Sequence, residues 1–260
     1  MPETIILSIL PFVFGAVVGS FLNVCIYRIP LGLSVVSPPS SCPNCSARIP
    51  FYLNVPVLSY IVLRGRCHSC KAPFSARYPL VEAAAGLMAV FTFLKFGPTV
   101  DTLIYFAFIC ALIVITFIDL DLQIIPDVIS LPGIVLGFAA SFALSGLTVQ
   151  DSLIGIAAGG GLLYLVATGY QLATGQDGMG GGDIKLLAMI GAFLGWKGVL
   201  LTVLLSSFAG AITGVVLIYV FGKGTKHAIP FGPFLALGAL IHLFFGESMI
   251  GWYITRASGY

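Results

Sequence analysis

Thr102-Leu-Ile-Tyr-Phe-Ala-Phe-Ile-Cys-Ala-Leu-Ile-Val-Ile-Thr-Phe-Ile118 carries no charge and runs directly into Asp119. As a helix rising 1.5 Å per residue it reaches about 25 Å, most of the ~30 Å hydrocarbon layer of a bilayer. Its surroundings agree: 58% of the 260 residues are hydrophobic and 8% charged, with mean hydropathy +1.07, a balance no water-soluble core and polar skin produces. The fold class expected is an all-α polytopic membrane protein. A carboxylate at the centre of a membrane helix costs about 2.5–3.5 kcal/mol, so Asp119 needs a reason to stand on such a span.

Working outward, seven further apolar stretches qualify as spans: Thr4 to Tyr27, Pro79 to Phe96, Val128 to Leu144, Ser152 to Ala173, Ile184 to Leu194, Gly198 to Phe221 and Ile229 to Phe245. The first lacks a basic n-region and an A-x-A-like cleavage site, and reads as a retained helix. Eight crossings put Arg28, Arg48, Arg64, Arg66, Lys71, Arg77, Lys185, Lys223 and Lys226 on one side, against Lys95, Lys197 and Arg256 on the other. Nine against three makes the first side cytoplasmic and the N-terminus external. The stretch from Ile184 to Leu194 is short, about 16 Å; Trp196 beside it suits an interfacial anchor and favours a true crossing. A net charge of +2 gives no reason to expect nucleic acid. No long internal repeat is visible. The expected organisation is a first span with an N-terminal signature (1–27), a cytoplasmic loop domain (28–78) and a transmembrane bundle (79–260) with its catalytic core at about 101–222.

A polar segment of some fifty residues is too small to hold itself together without a staple. Cys42-Pro-Asn-Cys45 and Cys67-His-Ser-Cys70, 21 residues apart, supply one. Two C-x-x-C knuckles bring thiolates together in pairs on a tetrahedral ion, so Cys42, Cys45, Cys67 and Cys70 are expected to hold structural Zn²⁺. Two disulfides are the rival and require an oxidising compartment. Four thiolates leave no open position for water, so the metal would be structural and not catalytic. His68 reads as a polar turn residue, Cys25 and Cys110 as small buried hydrophobes, and His227 and His242 as interfacial or packing residues.

Phe117-Ile-Asp-Leu-Asp-Leu-Gln-Ile-Ile-Pro-Asp127 offers three carboxylates. Residues two apart on a helix point about 200° from each other, so Asp119 and Asp121 cannot both face one partner. Asp121 reads as a solvated residue, and Asp127, after Pro126 and before an apolar run, as a helix N-cap. The second acidic stretch is Gly178-Met-Gly-Gly-Gly-Asp183-Ile-Lys185. It lacks the P-loop pattern and a surrounding βαβ unit, which argues against nucleotide binding. Glycines for a tight turn with Asp183 as a cap is the plainer alternative. Taken with Asp119, Asp183 suggests a dyad: two carboxyls sharing a site hold one proton between them, as in aspartic proteases, and need no metal. Gly180, Gly182 and Lys185 are expected to support the loop that carries Asp183.

These motifs, in this order, resemble the type IV prepilin leader peptidase/N-methyltransferase family, relatives of the G-x-G-D aspartyl membrane proteases. Gly19-Ser-Phe-Leu-Asn-Val-Cys-Ile-Tyr-Arg-Ile-Pro30 is similar to its N-terminal signature, the paired knuckles to its cytoplasmic zinc loop, and Arg77-Tyr-Pro-Leu-Val-Glu82 to the start of its second span. Asp119 with Pro126-Asp127, the Gly180 to Leu186 block and Pro230-Phe-Gly-Pro-Phe-Leu-Ala-Leu-Gly238 complete the match. The resemblance implies an endopeptidase of the bacterial inner membrane with Asp119 and Asp183 as catalytic acids. It would remove leaders from type IV prepilins or type II secretion pseudopilins at the cytoplasmic face. It further implies N-methylation of the new terminus with S-adenosylmethionine as donor. Asn23, Arg28 and Glu82 are the candidate residues there, Glu82 equally as a partner of Arg77. Pilus or secretion assembly components are further expected partners. Two rival readings are a proton-coupled transporter using Asp119 and Asp183 as relay groups, and a non-catalytic assembly scaffold built on the zinc loop.

Overall fold

The computed structural model describes residues 2–176, 180–220 and 229–257; Gly178, Met179, Phe221, Lys223, Lys226 and His227 lie outside them. The long helices are α1 (Pro2–Arg28), α3 (Arg77–Phe96), α4 (Val100–Leu122), α5 (Asp127–Ala140), α6 (Val149–Thr174), α7 (Gly181–Tyr219) and α8 (Gly232–Ala257). A short α2 (Leu58–Val62) and a 3-10 turn (Phe51–Leu53) lie in the polar segment between α1 and α3. The only strand-like pairings among the described residues are two isolated bridges, Ser41 with Arg48 and Arg66 with Pro73. This is an all-helical, multi-pass membrane protein.

Among the described residues, six helices are long and apolar enough to cross a membrane: α1, α3, α4, α6, α7 and α8. The eight expected segments and these six helices are reconciled by α5 and α7. α5 is apolar but has only 14 residues, about 21 Å of helix. α7 has 39 residues, about 58 Å if straight and nearly twice the hydrocarbon thickness, and it breaks at Gly195 (φ 69°, ψ −179°). The bend is sharp: a Cβ built on Gly191 would lie 2.9 Å from Val199 Cγ2, whereas eight residues along a straight helix span about 12 Å. The expected stretches from Ile184 and from Gly198 are therefore the two arms of one interrupted helix. Beside the break, Trp196 donates its indole N–H to Asp151 at 3.1 Å, and Asp151 also belongs to the α6 cap, where its N–H bonds Thr148 Oγ1 at 3.0 Å. Helices α3 and α6 end at Gly97 (φ 68°) and Gly175 (φ 69°), left-handed stops that cost glycine little.

The chain forms two compact units, Met1–Val114 and Ile115–Tyr260, with the boundary inside α4. In the first, α1 packs along α3. In the second, α7 packs against α5, α6 and α8. Gly155 of α6 and Gly191 of α7 meet backbone to backbone, each occupying the space a Cβ on the other would need. That contact sets the depth to which the first arm of α7 is buried, and Leu186, Leu187, Met189 and Ile190 are wholly or almost wholly enclosed. The opposite surfaces remain apolar: Phe142, Leu165, Leu204 and Phe208 are largely exposed, as lipid-facing positions should be.

Candidate functional site

In the second unit, α4 continues without interruption past both acids, so Asp119 and Asp121 diverge as helix geometry requires. Asp119 is 5% exposed and Asp121 lies on the outside. Asp183 opens α7 two residues after its start, half-buried, its N–H bonded to Gly180 O at 3.2 Å. The two carboxyls stand near enough for Asp119 to act electrostatically on Asp183. Among the described residues, one donor fixes the Asp119 carboxylate: the Gly232 N–H at the start of α8, 2.9 Å from Oδ2 and buried.

The residues flanking Asp183 behave differently from one another. A Cβ on Gly182 would lie 2.9 Å from Ile125 Cβ, so the segment before α5 rests directly on this glycine. Around Gly180 and Gly181 there is room for a side chain. Lys185 holds Asp127 with both carboxylate oxygens, at 2.7 and 2.8 Å. The N-cap expected of Asp127 is therefore corrected. Pro126 occupies the cap position without a side-chain bond, and Asp127 ties the first turn of α5 to the first turn of α7. The physical reason is reach: a lysine two residues beyond Asp183 offers a full charge, which outcompetes a neutral amide.

In the first unit, the two knuckles are built alike. Cys42 N–H bonds Ala47 O (2.9 Å), Ser46 N–H bonds Cys42 O (2.8 Å) and Ile49 N–H bonds Ser40 O (3.0 Å). Twenty-five residues on, Cys67 with Ala72 (2.8 Å), Lys71 with Cys67 (3.1 Å) and Phe74 with Gly65 (2.7 Å) repeat the pattern. Ser46 and Lys71 take the same positive φ, 57° and 60°. The four Sγ atoms lie within 4.8 Å of one another, with Cys42 to Cys70 at 3.8 Å and Cys45 to Cys67 at 4.0 Å. A tetrahedron with 2.3 Å metal–sulfur bonds has edges of about 3.8 Å, so the cluster fits structural zinc. The electrostatics point the same way. The Ala72 N–H, more than any other contact, draws the Cys70 thiol down to about 6. At Cys45 the Ala47 N–H acts in the same direction, but desolvation and the three neighbouring sulfurs outweigh it and push the thiol up to about 11. Four thiols this close cannot all ionise alone; one dication lets them.

Against the zinc loop lies a cavity of about 290 Å³, at the small end for ligand sites. Asn23, Arg28 and Glu82, the three candidates, all line it, together with Tyr27, Tyr60 and Tyr78. Each also has a structural bond. Asn23 Nδ2 donates to Tyr78 O (3.1 Å), joining α1 to α3. Arg28 donates to Ser34 O (2.9 Å) and Pro38 O (2.6 Å), closing the loop after α1. Glu82 Oε2 accepts the Val57 N–H at 2.7 Å and the carboxylate also takes a bond from the Ser20 side chain. Val57 is held at φ 61°, ψ −49°, a conformation β-branched residues avoid. Aromatic faces and a carboxylate around one cavity are a donor set suited to a cationic ligand such as a sulfonium.

Two residues at these sites are not among those expected from the sequence: Gly232, within the Pro230 to Gly238 stretch, and Val57. For Gly232 a signal existed, since a glycine between an aromatic residue and a proline at a helix start marks a close approach. For Val57 there was none.

A profile described as the bacterial peptidase A24 N-terminal domain matches residues 13–96, and one for the type IV leader peptidase family matches residues 106–215. The chain is 38% identical to the prepilin leader peptidase/N-methyltransferase of Aeromonas hydrophila, over 95% of this chain and 93% of the relative. Proteins of the same description from Pseudomonas putida (39%; 91% and 90%) and Legionella pneumophila (37%; 93% and 92%) are similar over comparable lengths. No solved structure gives a significant match.

Proposed function

Because the chain belongs to the type IV prepilin leader peptidase/N-methyltransferase family, we propose that Asp119 and Asp183 are the acids that perform its leader cleavage. The protein is a bifunctional enzyme, removing leader peptides from prepilins and methylating the new N-terminus. Nothing in the comparisons supports a transporter. The observation that carries the dyad is a buried Asp119 near enough to Asp183, at the start of α7, to act on it electrostatically. Two carboxyls in one site hold a single proton. The ionised member takes a proton from water as its oxygen attacks the scissile carbonyl; the protonated member gives its proton to the carbonyl oxygen. Collapse of the tetrahedral diol returns one hydroxyl proton to the ionised carboxylate, while the aspartate that took the water proton gives it to the leaving amine, so the pair again holds one proton.

The methyl-transfer site is assigned to the cavity lined by Asn23, Arg28 and Glu82, with S-adenosylmethionine as donor. The donor supplies an electrophilic methyl on a sulfonium. The chain contributes aromatic walls, the Glu82 carboxylate as a counter-charge, and the zinc knuckles as a fixed floor, since Cys67 and His68 reach the cavity wall. Zinc is assigned to Cys42, Cys45, Cys67 and Cys70. The orientation that follows from nine basic residues against three puts the zinc loop and both aspartates at the cytoplasmic face of the inner membrane, with the N-terminus outside. Substrates would be type IV prepilins or type II secretion pseudopilins arriving from the bilayer, with pilus or secretion components as neighbours. The domain division proposed is 1–27, 28–78 and 79–260, with the peptidase core at about 101–222.

Mass spectrometry of a prepilin incubated with the detergent-purified protein and S-adenosylmethionine tests both activities together. Loss of the leader followed by gain of one methyl is expected. An untouched prepilin would refute the reading.

A further inference from the structure

We infer that Gly232 is a positioning residue for leader cleavage: its backbone N–H fixes the Asp119 carboxylate in the orientation the dyad uses. The inference rests on the dyad reading above. The bond, 2.9 Å and buried, links residues 113 apart in sequence.

The start of α8 is arranged so that this one N–H is left for an outside acceptor. A helix begins with amide groups that have no partner within it. Here Pro233 has none to offer, and the N–H groups of Phe234 and Leu235 both turn back to Phe231 O at 3.1 Å. Gly232 alone in this first turn donates to another helix. Phe231-Gly-Pro-Phe-Leu235 thus directs a single donor at Asp119.

Glycine is needed there for space. Gly232 is not among the glycines with positive φ. A Cβ at position 232 would lie 2.7 Å from Asp119 Oδ2 and 3.2 Å from Cγ, so the room a side chain would take is the room the carboxylate fills. The terminal torsion of an aspartate is broad and roughly two-fold. One fixed N–H on Oδ2 settles that torsion and leaves Oδ1 for the shared proton and the attacking water.

The test removes the N–H without adding an atom. Glycolic acid placed at position 232 by cell-free translation into nanodiscs converts the amide to an ester. The kcat for leader removal is expected to fall about tenfold or more, with KM for prepilin within twofold. Gly232→Ala, which forces the carboxylate aside, should lose about a hundredfold in kcat. Methylation of a pre-cleaved pilin should be unchanged in both. Wild-type kcat in the ester variant would overturn the inference. So would parallel losses in KM and methylation, which mark a general structural role. Asp119→Asn, run alongside, separates the premises: if it cleaves normally, the dyad reading falls and the role of Gly232 with it. An inactive Asp119→Asn beside a fully active ester sinks only Gly232.

Discussion

Glu82→Ala is the substitution whose effect can be worked from the structure most closely. The carboxylate accepts the Val57 N–H at 2.7 Å, a bond to a charged group contributing about 1.5–3 kcal/mol. Val57 sits at φ 61°, where a β-branched residue costs about 1–3 kcal/mol. The two terms are of comparable size and opposite sign, so the hydrogen bond is what holds the segment between the 3-10 turn and α2 in its strained form. Without the carboxylate the segment relaxes, and the wall that Asn54, Val55 and Ser59 give the cavity is lost. At 1.4 kcal/mol per decade, methylation of a pre-cleaved pilin should fall about 10- to 150-fold in kcat/KM, and leader cleavage should stay within twofold. Glu82→Gln keeps an acceptor, though a neutral one, and should lose only about fivefold to tenfold. Val57→Gly, which makes the conformation inexpensive, should restore part of the activity to Glu82→Ala. Steady-state methyl incorporation from labelled donor measures all four proteins. The reasoning is refuted if Glu82→Ala methylates at the wild-type rate, or if Glu82→Gln is as impaired as Glu82→Ala. The second outcome would make the counter-charge to the donor, and not the bond to Val57, the larger part of what Glu82 does.

Two further predictions concern the rest of the molecule. Cys67→Ser should abolish zinc retention, measured by elemental analysis, and reduce methylation more than cleavage, because Cys67 lies in the cavity wall; equal loss of both would make the knuckles a support for the whole protein. Gly191→Val should force α6 and α7 apart at the Gly155 contact and destabilise the second unit by about 1–3 kcal/mol, read as a lower midpoint of thermal unfolding in detergent; an unchanged midpoint would show that the two backbones can separate without penalty.

Much of this arrangement was legible in the sequence because hydrophobic length and cysteine spacing are local signals. Asp119 at the end of an uncharged run, the two C-x-x-C knuckles and the apolar stretches around them could each be read from a few neighbouring residues. What escaped depended on partners distant in the chain. Asp127 follows a proline and precedes an apolar run, the usual setting of a cap, yet Lys185 claims it from 58 residues away. The interruption at Gly195 was legible as the gap between the Ile184 and Gly198 stretches, but not that a single residue makes the bend and that both arms belong to one helix. The repeat of the two knuckles is a repeat of backbone bonds, with little shared sequence beyond the cysteines and one alanine. Arg28 and Asn23 were singled out as candidates for the donor site, and both line the cavity, but their bonds to Pro38 O, Ser34 O and Tyr78 O are structural duties that no sequence pattern records.

Leader removal by Asp119→Asn and Asp183→Asn, followed by mass spectrometry of a prepilin substrate with zinc content and unfolding midpoint measured on the same samples, bears most directly on the dyad. Each variant should retain its metal and its fold and leave the leader attached. Cleavage at the wild-type rate by either one would contradict the account.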